Sequence, residues 1–185
     1  MDSTANVNAA PPVSGVSEPS SGEENLLTLM MSALSGQADV LQQITDMQSE
    51  KIQYRNTELE NLNAAKSQID ALAANDETYD LAKQNITITD PKTGQSVTES
   101  LQKFLTDEGV PLPTKSSDTK QNQTELQTIS ANIDNKISSV SSSSQTDIIE
   151  LQATINKYNQ TYETMSSFVS KYDEALETIA GNLQH

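Results

Sequence analysis

The sequence predicts a mainly α protein: a long two-helix antiparallel coiled-coil hairpin with a small irregular insert containing a β-hairpin, preceded by a disordered N-terminal tail. Hydrophobic residues are only 34% of the 185 residues, against the usual ~45–50%, so buried surface is expected along narrow seams. Two long stretches lack proline, which breaks helix interiors. The six prolines lie outside those stretches, at positions 11, 12, 19, 91, 111 and 113.

Composition argues against several classes of function. The net charge of −15 disfavours nucleic acid and acidic lipid headgroups, which bind basic patches. Cysteine is absent and the single histidine is His185, so the commonest general base and metal ligand is missing elsewhere. The longest apolar-rich run, Leu26 to Leu34, is nine residues, whereas a membrane span needs ~20. We therefore expect no catalytic residue, cofactor, metal site or membrane span, and no enzyme.

Residues 1–22 are rich in Ser, Ala, Pro, Gly and Asn and have no periodicity, which predicts a disordered tail. The tail lacks the basic and apolar regions of a cleavable secretory signal. Two interpretations remain open: a fraying terminus, or an export signal read by a secretion apparatus.

The first long helix is predicted over 23–75, with Ser21 or Gly22 as its cap. Its opening segment is apolar around most of the circumference, and such a helix must be covered on all sides. This N-terminal patch either contacts other subunits or a chaperone, or is the thickest part of the core. It consists of Leu26, Leu27, Leu29, Met30, Met31 and Leu34.

The insert is predicted over 76–118. Alternation at 86–89, a turn with Gly94 at positive φ, and the following residues to Val97 predict a β-hairpin. Thr98 is the predicted cap of a short helix carrying Leu101, Phe104 and Leu105, which Gly109 ends.

The C-terminal helix, predicted over 119–185, carries the strongest pattern. Eleven apolar or aromatic residues alternate in steps of three and four, which indicates a coiled-coil seam. The seam is either intramolecular or also packs against neighbouring subunits, with Phe168 widening its apolar face. It comprises Ile148, Leu151, Ile155, Tyr158, Tyr162, Met165, Val169, Tyr172, Leu176, Ile179 and Leu183.

The arrangement resembles the filament-forming hydrophilic translocators of type III secretion systems, the EspA and SseB group. The resemblance rests on the opening helix ENLLTLMMSAL, the insert helix VTESLQKFLTDEGV, and the C-terminal segment that runs from LQTISANI to YETMSSF. It implies a secreted virulence protein, exported without a cleaved signal, that polymerises into a hollow extracellular filament. The implied partners are further copies, a cytoplasmic secretion chaperone, and needle and pore-forming translocator proteins.

Two other classes of function compete with the filament. One is a needle-tip cap that forms a closed ring, and the other is a cytoplasmic coiled-coil adaptor or chaperone. The polar tail favours the two exported classes, since an adaptor has no evident need for it.

Overall fold

The predicted fold class is confirmed. The structure is a computed structural model that describes residues 21–75, 77–113 and 120–182, with side chains from residue 27 onward. The predicted tail, apart from Ser21 and Gly22, lies outside the described residues. The elements in order are α1 (Ser21–Ala73), β1 (Tyr79–Asp80), β2 (Asn85–Thr89), β3 (Ser96–Ser100), α2 (Leu101–Asp107), β4 (Lys120–Gln121) and α3 (Gln123–Asn182).

The two long helices form an antiparallel hairpin. Lys66 of α1 lies 3.5 Å from Asp134 of α3, and Lys51 lies 2.6 Å from Asp147, so the partner number in α3 rises as the number in α1 falls. Helix α1 starts and ends two residues earlier than predicted. Helix α3 begins with a capping box in which Asn122 and Glu125 exchange backbone-to-side-chain hydrogen bonds of 2.7 and 3.0 Å, which satisfies two exposed N–H groups.

The apolar core lies at the insert end of the hairpin. There α2 packs between the long helices and the insert, and its three apolar side chains are almost fully buried. Burial of each such side chain contributes about 1.5–3 kcal/mol. The largest buried side chains are Leu62, Ile69, Leu81, Leu101, Phe104, Leu105, Leu126, Ile129 and Ile133.

The β-hairpin of the insert is confirmed, although its second strand is longer than expected. Strand β3 pairs with β2 from Asn85↔Ser100 to Thr89↔Ser96, and Gly94 has the predicted positive φ of 67°. Thr98 therefore pairs with Thr87 inside the sheet, and the prediction that it caps α2 is wrong. Ser100 is the cap, accepting a hydrogen bond from the Lys103 N–H at 3.3 Å.

A second strand pair was not predicted. Tyr79 pairs with Gln121 and Asp80 with Lys120, which joins the segments that enter and leave the insert. Because these segments follow α1 and precede α3, the pair closes the insert onto the end of the hairpin.

Candidate self-assembly surface

The row of α3 residues that packs against α1 keeps a strict seven-residue repeat. It begins with apolar residues near the insert and continues with polar ones toward the free end of the hairpin. We name this row the contact row. Its residues are all buried: Leu126, Ile133, Val140, Asp147, Thr154 and Thr161. The free half of this contact row is therefore made of small hydroxyls and one carboxylate instead of apolar side chains.

The contact row divides the predicted seam into two sets. Leu151, Tyr158, Met165 and Tyr172 are half-buried and lie toward α1. The alternate set, which we name the α3 stripe, follows the contact row by one position, about 100° around the helix. Its members are 36% to 44% exposed: Ile148, Ile155, Tyr162, Val169 and Leu176.

An ionic cluster around the buried Asp147 carboxylate favours this rotation of the contact row. Asp147 is 4% exposed, and its carboxylate lies 2.6 Å from the Lys51 Nζ and 3.4 Å from the Arg55 Nε. The hydrogen bond from Lys51 is the main cause that lowers the pKa of Asp147. Leaving this carboxylate buried without its cations would cost several kcal/mol, so the cluster disfavours a rotation that brings the α3 stripe inward.

The burial of Asp147 was not predicted from the sequence, because the seam was defined by apolar residues alone. The signal was nevertheless present: steps of seven from Leu126 through Val140 lead to Asp147, not to Ile148. Hydroxyl and carboxylate side chains are recognised as buried only when their partners on the facing helix are known.

The N-terminal patch is also largely open. Leu29 is 67% exposed and Met30 is exposed, while Leu27, Met31 and Leu34 are half-buried. The described members take no part in the buried core cluster, so the interpretation as the thickest part of the core is not supported. The side chain of Leu26 and residue Leu183 lie outside the described part.

An apolar groove joins the N-terminal patch to the end of the α3 stripe. It has a volume of about 330 Å³. Phe168 lies in its wall, where the prediction placed a widening of the apolar face. The lining residues are Leu27, Phe168, Lys171, Tyr172, Ala175, Leu176 and Ile179.

A second exposed row runs along α1 and was missed at the sequence level. Val40, Met47 and Tyr54 recur every seven residues and are 38% to 60% exposed. We name them the α1 row. Its Tyr54 end borders a notch of about 610 Å³ between α1 and the turn of the β-hairpin. The notch is lined by Met47, Glu50, Lys51, Gln53, Tyr54, Pro91 and Lys92.

Charged residues also join the insert to the hairpin. The Lys136 Nζ of α3 lies 3.2 Å from Glu58 of α1 and 4.0 Å from Glu108 at the end of α2. Burial, followed by the nearby charge of Glu58, raises the pKa of Glu108 to about 7. This raised pKa predicts that the docking of α2 on the hairpin weakens as pH rises through neutrality.

Across residues 21–75, 77–113 and 120–182, no cluster of three or more His, Cys, Asp or Glu could hold a metal ion. Within the same ranges, no helix combines the length and the apolar character that crossing a membrane requires.

Comparison with known proteins connects α3 with type III secretion. A family model described as type III secretion needle MxiH, YscF, SsaG, EprI, PscF, EscF matches residues 117–182, which include all of α3. The similarity favours an extracellular needle or filament subunit, and a structural protein over an enzyme. The matched family is that of the needle, not the EspA and SseB group that the sequence resembles. No curated protein and no solved structure matches the chain.

Proposed function

We propose that the chain is a structural subunit of a type III secretion system that polymerises into a hollow extracellular filament. The filament conducts effectors and translocators from the needle toward a host cell. The protein is exported by the type III apparatus and acts at the bacterial surface.

One observation carries the proposal: the helix that resembles needle subunits has five apolar residues at seven-residue spacing that its own hairpin leaves exposed. A regular apolar stripe on a long helix is typical of a surface that packs against another helix. The N-terminal patch and the groove beside it extend this surface to the free end of the hairpin. The proposed assembly residues are therefore those of the N-terminal patch, the α3 stripe and Phe168, while the half-buried residues of the predicted seam pack within the hairpin.

The same exposure accounts for the proposed partners. In the cytoplasm, exposed stripes would associate before export, so a secretion chaperone that covers α3 follows from the proposal. Outside the cell, the ends of the polymer would contact the needle and the pore-forming translocator proteins.

Negative-stain electron microscopy of the purified protein, freed of any co-purifying chaperone, tests the proposal. We expect long uniform fibres whose abundance rises with protein concentration. Discrete rings would favour a needle-tip cap, and monomers at every concentration tried would favour a cytoplasmic adaptor.

A further inference from the structure

The α3 stripe and the α1 row lie on opposite faces of the hairpin. Each residue of the α3 stripe follows a residue of the contact row by one position. Each residue of the α1 row instead comes one position before a half-buried residue of α1, namely Leu41, Gln48 or Arg55. Because the two helices are antiparallel, these opposite offsets place the two surfaces on opposite sides. The ion pair between Lys51 and Asp147 agrees with this, since it lies on the side of the α1 row.

The two surfaces also match in repeat. Each carries apolar side chains every seven residues, about 10.5 Å apart along its helix. Two helices with equal seven-residue repeats can interlock side chains along their whole contact.

The charges of the two surfaces are complementary at the notch. Glu163 and Glu177 each follow a stripe residue by one position, and Asp173 follows Val169 by four, so all three adjoin the α3 stripe. Lys157 lies about 200° beyond the stripe residue Ile155, on another face, whereas Lys171 lines the groove beside Leu176. The notch at the end of the α1 row has two lysines, Lys51 and Lys92, and one acidic residue, Glu50. Farther along the α1 row, Asp39 and Asp46 each precede a row residue by one position, so the charge match is confined to the notch.

We propose that the α3 stripe of one copy packs on the α1 row of the next, with its acidic border against Lys92 at the notch. Because the two surfaces differ and lie on opposite faces, each added copy presents the same free surface again, and the contact builds an open filament when the rotation between copies does not close a ring. This inference rests on the proposed function, since it assigns the contact through which the filament would grow.

Cysteine cross-linking tests the pairing, because the natural chain has no cysteine. A Met47→Cys protein is mixed with a second protein carrying one cysteine at Ile148, Ile155, Tyr162 or Val169, and a short bismaleimide is added during assembly. The matched control is Thr164→Cys, since Thr164 is exposed on α3 and lies about 200° beyond the stripe residue Tyr162. We expect at least one stripe position to cross-link to residue 47 about tenfold more than Thr164→Cys, because contact raises the effective concentration.

A charge reversal gives a second readout. Lys92→Glu is expected to raise the protein concentration needed for assembly about two- to fivefold, the range for an exposed ion pair. Lys83→Glu makes the same change in net charge at a lysine outside the notch, and we expect little effect.

The outcomes separate this inference from the proposed function. If the wild-type protein forms fibres and the Met47→Cys protein cross-links to no stripe position above the control, the pairing alone is overturned. A wild-type protein that forms no polymer would overturn both.

Discussion

Replacing Glu108 by Gln should make the protein more stable at pH 8 and leave it nearly unchanged at pH 5. The Glu108 carboxylate ends α2 and faces Glu58 of α1 and Lys136 of α3. Arg55 lies 3.5 Å from Glu58, and the adjacent Asp107 is paired with Lys103 at 2.7 Å. When Glu108 is ionised, two neighbouring carboxylates share a partly buried site with Lys136, which opposes docking of the insert.

The size of the effect follows from the pKa of Glu108, which is raised from 4.5 to about 7 by burial first and by the charge of Glu58 second. A pKa raised in the folded state means that the native protein holds this proton between pH 4.5 and 7 while the unfolded chain releases it. The free energy of unfolding therefore falls as pH rises through that window. A shift of one pKa unit corresponds to about 1.4 kcal/mol, so the free energy of unfolding can fall by at most about 3 kcal/mol across this window. Because solvent screens charges at this partly exposed site, we expect a fall of about 1–2 kcal/mol.

The assay is urea unfolding of wild type and Glu108→Gln at pH 5 and pH 8, with Glu60→Gln at an exposed position of α1 as control. Other groups also titrate, so the informative quantity is the difference between variant and wild type at each pH. We expect the Gln variant to gain about 1–2 kcal/mol over wild type at pH 8 only. If that difference is the same at both pH values, the proton on Glu108 does not contribute to docking of the insert.

Three further predictions concern the long helices and the insert. Tyr162→Asp on the α3 stripe should abolish fibres while leaving helicity, measured by circular dichroism, intact. Thr161→Asp at the adjacent buried position should instead lower the free energy of unfolding by about 1–3 kcal/mol. Equal destabilisation by the two substitutions would mean that Tyr162 is buried too. Asp147→Ala should cost about 1.5–3 kcal/mol in urea unfolding because it removes the hydrogen bonds from Lys51 and Arg55, and no loss would show that the cluster is solvated. Leu105→Ala should cost about 2–5 kcal/mol, and Ala33→Ser at an exposed position of α1 is its neutral control.

The helices and the β-hairpin of this fold could be predicted from local patterns, whereas the polar half of the helix contact was missed. The placement of proline predicted both long helices. The alternation at 86–89 and the turn with Gly94 at positive φ predicted the β-hairpin. The contact row was missed because Thr154 and Thr161 are hydroxyl residues whose burial depends on the facing helix. The apolar residues that dominate the pattern, such as Ile155, are the ones that the monomer leaves exposed.

The remaining differences between prediction and structure concern the cap of α2 and the two-residue strand pair. Thr98 and Ser100 are both suitable caps for α2, and only the pairing of Thr98 with Thr87 decides between them. The two-residue pair of β1 and β4 joins segments about 40 residues apart in the sequence, a separation that no local pattern specifies.

The position of the apolar core gives the hairpin a gradient of local stability. The buried side chains are concentrated where α2 meets the long helices, while the free end is joined by half-buried and hydroxyl side chains. Amide protons near residues 30–45 and 155–180 should therefore exchange with solvent long before those of Leu62 or Ile133, because local opening needs less free energy where fewer apolar contacts are lost. Helices α1 and α3 can then separate at the free end of the hairpin while the insert stays folded. Each helix can therefore contact a partner separately without unfolding of the whole molecule.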